Sequence, residues 1–144
     1  MLFRPELCDK ILSGEKTQTR RVVKPGDRAG AYSIPGTVTI TEVSRNGRRL
    51  WQVGRCYAVQ PGRGRPAVAH IRLTNIRHGH LQDISREECF AEGVAVPELP
   101  EGFADWEIIA LFFELWDSIN TRHGIRSSDN PPVWILEFEL SDRK

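Results

Sequence analysis

Residues 105 to 121, DWEIIALFFELWDSINT, constrain the fold more than any other stretch. Set on a helical repeat, Trp106, Ile109, Phe113 and Trp116 share one side and Ile108, Phe112, Leu115 and Ile119 the next. So wide an apolar face requires burial against a sheet, and the rest of the chain supplies strands for one. TQTRRVV is rich in β-branched residues and ends at Pro25-Gly26. Thr37–Val43 and Arg49–Val53 read as strands joined across Asn46-Gly47, a hairpin turn signal. CYAVQ and AVAHIRLTNIRH follow, and in the latter His70, Arg72 and Thr74 alternate with Ile71, Leu73 and Asn75 in the two-residue rhythm of a half-buried strand. VWILEFEL is the closing strand.

Two short helices complete the pattern. PELCDKILSG has Pro5 in its first turn, Leu7, Ile11 and Leu12 on one side and Gly14 as its stop. DISREECFAEGV opens on Ser85 with Glu88 three positions later, the capping box of a helix start, and stops near Gly93 with Glu92 at its end. VPELPEGF reads as a connecting loop and PGRGRP as a basic loop, residues 61–66, too rich in Gly and Pro for regular structure. Strands with three helices and no β-α-β alternation predict an α+β domain, a small curved sheet or barrel. The 144 residues fit one domain, 1–144, large enough to bury a core without staples. Cys8, Cys56 and Cys89 are odd in number and form no CxxC, which reads as reduced thiols in a cytoplasmic protein. No stretch approaches the apolar length of a membrane span.

Net charge is only +1, but residues 1–80 carry 15 Lys and Arg against 5 Asp and Glu, while residues 81–144 carry 5 against 14. If the basic residues share a face, it attracts phosphate or a polynucleotide. The competing arrangement interleaves the two parts and neutralises them.

Several chemistries are poorly served. His78-x-His80 lacks a third ligand at metal spacing, no Gly-x-Ser-x-Gly elbow is present, and PGRGRP has neither the pattern nor the following helix of a phosphate loop. What remains is SGEKTQTRR, residues 13–21, where Lys16, Thr17, Thr19, Arg20 and Arg21 crowd the end of the first helix. It is either a solvated turn or the floor of a site for a polar, anionic group. A lysine beside other cations has a lowered pKa, and its neutral amine is able to take the proton of a threonine hydroxyl.

GEKTQTRRVVKPGD, LQDISREECFAEGV, LWDSIN and NPPVWILEFEL together resemble an ASCH-domain protein of the small bacterial and prophage type. The resemblance implies a PUA-like small β-barrel with flanking helices and an association with RNA. Gly14, Lys16 and Arg21 match the Gly-x-Lys-x-x-Glu-x-Arg signature, while Thr19 stands in the Glu position. That departure resembles the N4-acetylcytidine amidohydrolase branch. By that likeness Lys16, Thr19 and Glu92 form the catalytic set and Arg20 and Arg21 bind substrate, with no metal and no cofactor; Glu87 and Glu88 are the alternatives to Glu92. The implied reaction removes an acyl group from the exocyclic N4 of a cytosine nucleoside. The alternative is an RNA-binding module with weak ribonuclease activity, supported by Arg45, Arg48 and Arg49 at the hairpin and by Arg63 and Arg65 on the basic loop. The expected partner is accordingly a modified nucleoside or single-stranded RNA, and no membrane. Trp106, Phe113, Trp116 and Trp134 all fall in core-like patterns, leaving few aromatics for base stacking.

Overall fold

A computed structural model describes residues 1–96 and 102–141, so most of the expected loop at 96–103 lies outside the described residues. Along the chain run α1 (Pro5–Leu12), β1 (Gln18–Val22), β2 (Asp27–Ile34), β3 (Thr37–Arg45), β4 (Arg48–Gln52), β5 (Cys56–Val59), β6 (Ala69–His80), α2 (Arg86–Ala91), α3 (Asp105–Asn120) and β7 (Pro132–Ser141). The seven strands form one sheet with the path β1-β7-β6-β3-β2, β4 added beside β3 and β5 beside β6. Every strand pair is antiparallel. This is an α+β arrangement of mostly antiparallel sheet with a few helices.

The closed barrel is not formed among the described residues: β1 and β2 end the sheet and do not pair with each other. The physical reason lies in β3. It meets β6 at a single residue pair, Ile40 with Ile76, and from there its N-terminal part stays hydrogen-bonded to β2 alone. The ribbon that would close the sheet therefore leaves it. β2 itself was not expected from sequence, because DRAGAYSI lacks a strong apolar alternation; its pairing comes from the tight turn at Pro35-Gly36, where Gly36 has φ 87°.

Strand alternation sorts the core into two layers. Trp134, Leu136 and Phe138 of β7 face one side, where Phe3, Leu7 and Ile11 pack over them, while Val133 and Ile135 face the other and meet Ile108, Phe112 and Trp116 of α3. Trp106 departs from expectation at 72% exposed. It belongs to the first turn of α3, and the buried stripe of that helix starts only at Ile108. None of the described helices is long and apolar enough to cross a membrane. None of the three cysteines forms a disulfide.

The basic and acidic parts interleave. Lys16 with Glu92, Arg20 with Glu88 and Glu92, Arg72 with Glu139, and Arg77 with Glu88 and Glu137 all join the first 80 residues to the remainder. Much of the expected basic half is neutralised this way, although the cations around β2 and β4 are not.

The start of β2 is locked by one carboxylate. Asp27 accepts from Arg45 Nε and Nη2 at 2.6 and 3.0 Å, from the Lys24 backbone N–H at 2.9 Å and from Trp134 Nε1 at 3.0 Å. Burial pushes its carboxyl pKa up, but the Arg45, Lys24 and Trp134 donors outweigh it and hold the group at about 2. A pKa held below that of the unfolded chain stabilises the fold above about pH 4, and the gain is lost as pH falls toward about 2. We expect Asp27→Asn to cost about 2 kcal/mol at neutral pH. In urea titrations the gap between parent and variant should close between about pH 4 and pH 2; a gap unchanged at low pH would refute this role.

Candidate functional site around Lys16 and Glu92

Three chain segments converge on Lys16. After α1 ends, with Gly14 at φ 82°, the Lys16 N–H donates to the Lys10 carbonyl. The Thr17 N–H then donates to the Ala91 carbonyl of α2, and the Thr17 carbonyl accepts from the Phe138 N–H of β7. The turn that holds Lys16 is thus fastened to two helix ends and a central strand.

Helix α2 delivers Glu92. Ser85 and Glu88 make the expected reciprocal cap, and Glu92 is the C-cap residue. Gly93, at φ 100°, terminates the helix with the paired bonds of a Schellman motif: Val94 N–H to the Cys89 carbonyl and Gly93 N–H to the Phe90 carbonyl. A side chain here would also press on Leu7 Cδ2 at 3.2 Å and Lys16 Cδ at 3.4 Å, so glycine serves both the backbone turn and the approach of the lysine stem.

Lys16 is 3% exposed. Its ammonium donates to the Gln18 and Glu92 carbonyl oxygens, each at 2.6 Å, and lies 3.5 Å from Glu92 Oε1. The Glu92 carbonyl is one of the orphan acceptors at the end of α2, where the helix dipole also favours a cation. The opposite Glu92 oxygen, Oε2, accepts from Arg20 Nη1 at 2.9 Å, and that nitrogen also donates to Gln18 Oε1 at 3.0 Å. Arg20 Nη2 reaches Glu88 Oε2 at 2.6 Å, leaving Nε buried without a partner. Burial lowers the Lys16 pKa from its ordinary value, with Glu92 opposing the shift and Arg21 and Arg20 reinforcing it.

The network continues outward. Glu88 also accepts from Arg77 at 2.8 Å, and Glu137 accepts from Arg77, Gln18 and Asn75 at 3.1, 3.1 and 3.2 Å. Burial raises the Glu88 pKa, but Arg77 and Arg20 hold it at about 2. Sequence reasoning missed Gln18, Asn75, Arg77 and Glu137 as members of this network. The alternation along β6 put Asn75 and Arg77 on one strand face, but only the long-range pairing of β7 with both β1 and β6 brings Glu137 between them.

Lys16, Arg20 and Glu92 are therefore in direct contact, whereas Thr19 and Arg21 lie on the other face. The register sets Thr19 opposite Leu136 and Arg21 opposite Trp134, on the α1 side, and sets Gln18 opposite Glu137 and Arg20 opposite Ile135, on the α2 side. Thr19 is buried. Arg21 stacks over the Phe3 ring at 4.9 Å and donates to the Leu2 carbonyl, with its Nε buried and unpartnered. Since β1 is an edge strand, Lys16 borders both faces: its ammonium bonds Glu92 while lying 5.7 Å from the centre of the Phe3 ring. Glu87 is exposed, and Glu88 serves as cap and ion-pair partner. Among the described residues no group of three His, Cys, Asp or Glu is placed to hold a metal ion.

The three buried charges are unequal in their dependence. Removing Lys16 leaves Glu92 neutralised by Arg20, whereas removing the Glu92 charge leaves Lys16 a buried cation with carbonyl partners only and Arg20 with Glu88 as its one carboxylate. We expect Glu92→Gln to cost about 3–5 kcal/mol and Lys16→Met clearly less. Chemical denaturation of the two variants tests this ranking; an equal or reversed cost would refute it.

No family model matches the chain, and no curated protein matches it. Solved structures do. A crystal structure of a protein from Enterococcus faecalis V583, of the family-model DUF984, superposes with a TM-score of 0.56 at 14% identity, over 92% of this chain and 65% of that one. An ASCH domain from Lactobacillus crispatus JV V101 superposes with a TM-score of 0.53 at 19% identity, over 93% of this chain and 69% of that one. The chain thus spans about two thirds of the length of either neighbour, and what it shares with them is an ASCH-like fold.

Proposed function

We propose that the chain binds single-stranded RNA on the outer face of its β2–β3 ribbon. One observation carries the reading: cations and an exposed aromatic stand on the same side of that ribbon. Val43 and Ile40 turn inward to the core, so Arg28, Tyr32 and Ile34 of β2, with Thr37, Thr39 and the neighbouring Arg49, share the outer face. Tyr32 is 52% exposed. Lys24 and Arg28 are exposed at the root of the ribbon and make no ion pair among the described residues, while Arg49 is shared with Glu42 and Arg48, opposite Arg45, belongs to the other face. Residues 29–41 carry no charge, and Glu42, the carboxylate on the outer face of the ribbon, is held by Arg49. Aromatic stacking surfaces beside mobile cations are the physical means by which proteins hold single strands. The exposed Arg63 and Arg65 of the basic loop add to the positive field.

Two unpaired cations at the ribbon root predict a salt slope of about −1.4 in log–log terms, or roughly sevenfold weaker binding from about 50 to 200 mM salt. Fluorescence anisotropy with a labelled pyrimidine-rich strand reads this directly. Arg28→Ala should flatten the slope, and Tyr32→Ala should weaken binding by about 1–3 kcal/mol at every salt concentration. Affinity indifferent to salt and to both substitutions would overturn the reading.

A second reading, hydrolysis of an N4-acylated cytosine nucleoside, is favoured by the buried Lys16 beside Glu92. Burial disfavours the ammonium, and a neutral Lys16 amine would accept the Thr19 hydroxyl proton as Oγ1 bonds to the acyl carbon. Collapse of the tetrahedral intermediate breaks the C–N bond, Glu92 passes a proton to the departing N4, and water then releases the carboxylic acid from Thr19. The unpartnered Arg21 Nε is a donor suited to the oxyanion, and Arg20 fixes the Glu92 carboxylate. This chemistry needs the Thr19 hydroxyl to reach Lys16 around the sheet edge. Chromatography of N4-acetylcytidine incubated with the protein should then show cytidine, lost in Lys16→Ala, Thr19→Ala and Glu92→Ala; no turnover at stoichiometric protein removes this reading and leaves RNA binding standing.

A further inference from the structure

We propose that the wedge between β3 and β6 receives a single nucleobase, a proposal that rests on the RNA-binding reading and adds a second contact to it. The two strands touch only at Ile40 and Ile76. Beyond that point Thr37–Thr39 stay paired with β2, and Arg77–His80 stay paired with β7. Between them opens a cavity of about 550 Å³ lined by residues 37–40 and 75–78.

The chemistry of the wedge follows from strand geometry. Successive residues send their N–H and C=O groups to opposite sides, so part of the backbone of each diverging strand points into the gap. The wedge is thus walled by donors and acceptors lying close to one plane, supplemented by the hydroxyls of Thr37 and Thr39 and the amide of Asn75. A nucleobase presents the same alternation of donors and acceptors around a flat ring. An extended peptide fits less well, because the Ile40–Ile76 pair closes the apex and leaves only about three residues of free edge, roughly 10 Å.

The rim supplies what a base carries with it. His78 is exposed, and its ring is braced edge-on against Trp134 at 5.2 Å, which is itself held by Asp27. Arg77, the preceding residue, is exposed on the opposite face of β6, the face that Thr37 and Thr39 share, and is held between Glu88 and Glu137. A phosphate beside the wedge has this guanidinium within its reach. Because Thr37 and Thr39 also belong to the outer face of the ribbon, a strand lying there passes the mouth of the wedge. One base is able to turn in while its neighbours stack outside.

The test is an amide-detected NMR titration of the parent protein, and of His78→Ala, with cytidine, uridine and adenosine 5′-monophosphates and with a short single-stranded RNA. Nucleotide shifts concentrated in residues 37–40 and 75–80, weakened about fivefold in His78→Ala, are expected. RNA-induced shifts confined to Arg28, Tyr32 and their neighbours, with the wedge silent to every mononucleotide, would overturn the wedge and leave the RNA reading intact. Silence toward both nucleotides and RNA would overturn both. Wedge shifts that depend on protein concentration without nucleotide would identify a second copy as the occupant and overturn the nucleobase.

Discussion

The carboxylate of Glu92 is the point on which the arrangement of helices and sheet depends. It neutralises two cations from the same short stretch, Lys16 and Arg20, and its backbone carbonyl takes a further bond from Lys16. These contacts fasten the end of α2 to the start of β1, and α2 in turn packs with α3 over one face of the sheet. Charges this deeply buried carry a large desolvation cost, repaid only when each is paired in good geometry. Here Schellman termination at Gly93, the missing Cβ beside Lys16 and the helix dipole all serve that geometry. The same burial that makes the cluster demanding lowers the Lys16 pKa, which is the property the proposed hydrolytic reading draws on.

The other end of the sheet obeys a different constraint. β3 is held by β2 along its whole length but by β6 at one residue, and the ribbon leaves the sheet as a consequence. An open sheet normally guards its edge strands with charge. This one leaves residues 29–41 uncharged and exposes Tyr32, Ile34 and Val38 there. The proposed binding of single-stranded nucleic acid, which brings its own charge and flat apolar surface, rests on this unguarded edge. The Arg77–Glu88–Arg20–Glu92–Lys16 chain of ion pairs runs from the wedge to the buried cluster, so the two regions are physically continuous.

Local signals in the sequence located most elements. Pro5 and Gly14 framed α1, Ser85 and Glu88 opened α2, Asn46-Gly47 joined β3 to β4, and the alternation at 69–80 marked β6. β2 escaped because Gly30 and two alanines blur its period, although Pro35-Gly36 before TVTIT was the turn that betrays it. Trp106 was placed inside by periodicity alone, which cannot tell where along a helix its contact with the sheet begins. The contact of Lys16 with Glu92 joins residues 76 positions apart, so no local pattern determines it, and Glu92 entered only through a family likeness. Arg77 and Glu137 had no such guide. Their roles depend on the registers of three strands, and each register is fixed by apolar alternation on faces that only the folded sheet defines.

Photocrosslinking tests most directly the proposal that RNA lies on the ribbon and across the wedge. Single-stranded RNA carrying 4-thiouridine, irradiated with the protein and mapped by mass spectrometry, should leave adducts on Tyr32 and within residues 75–80. Adducts confined to the α1 and α3 surfaces, or none at saturating RNA, would contradict it.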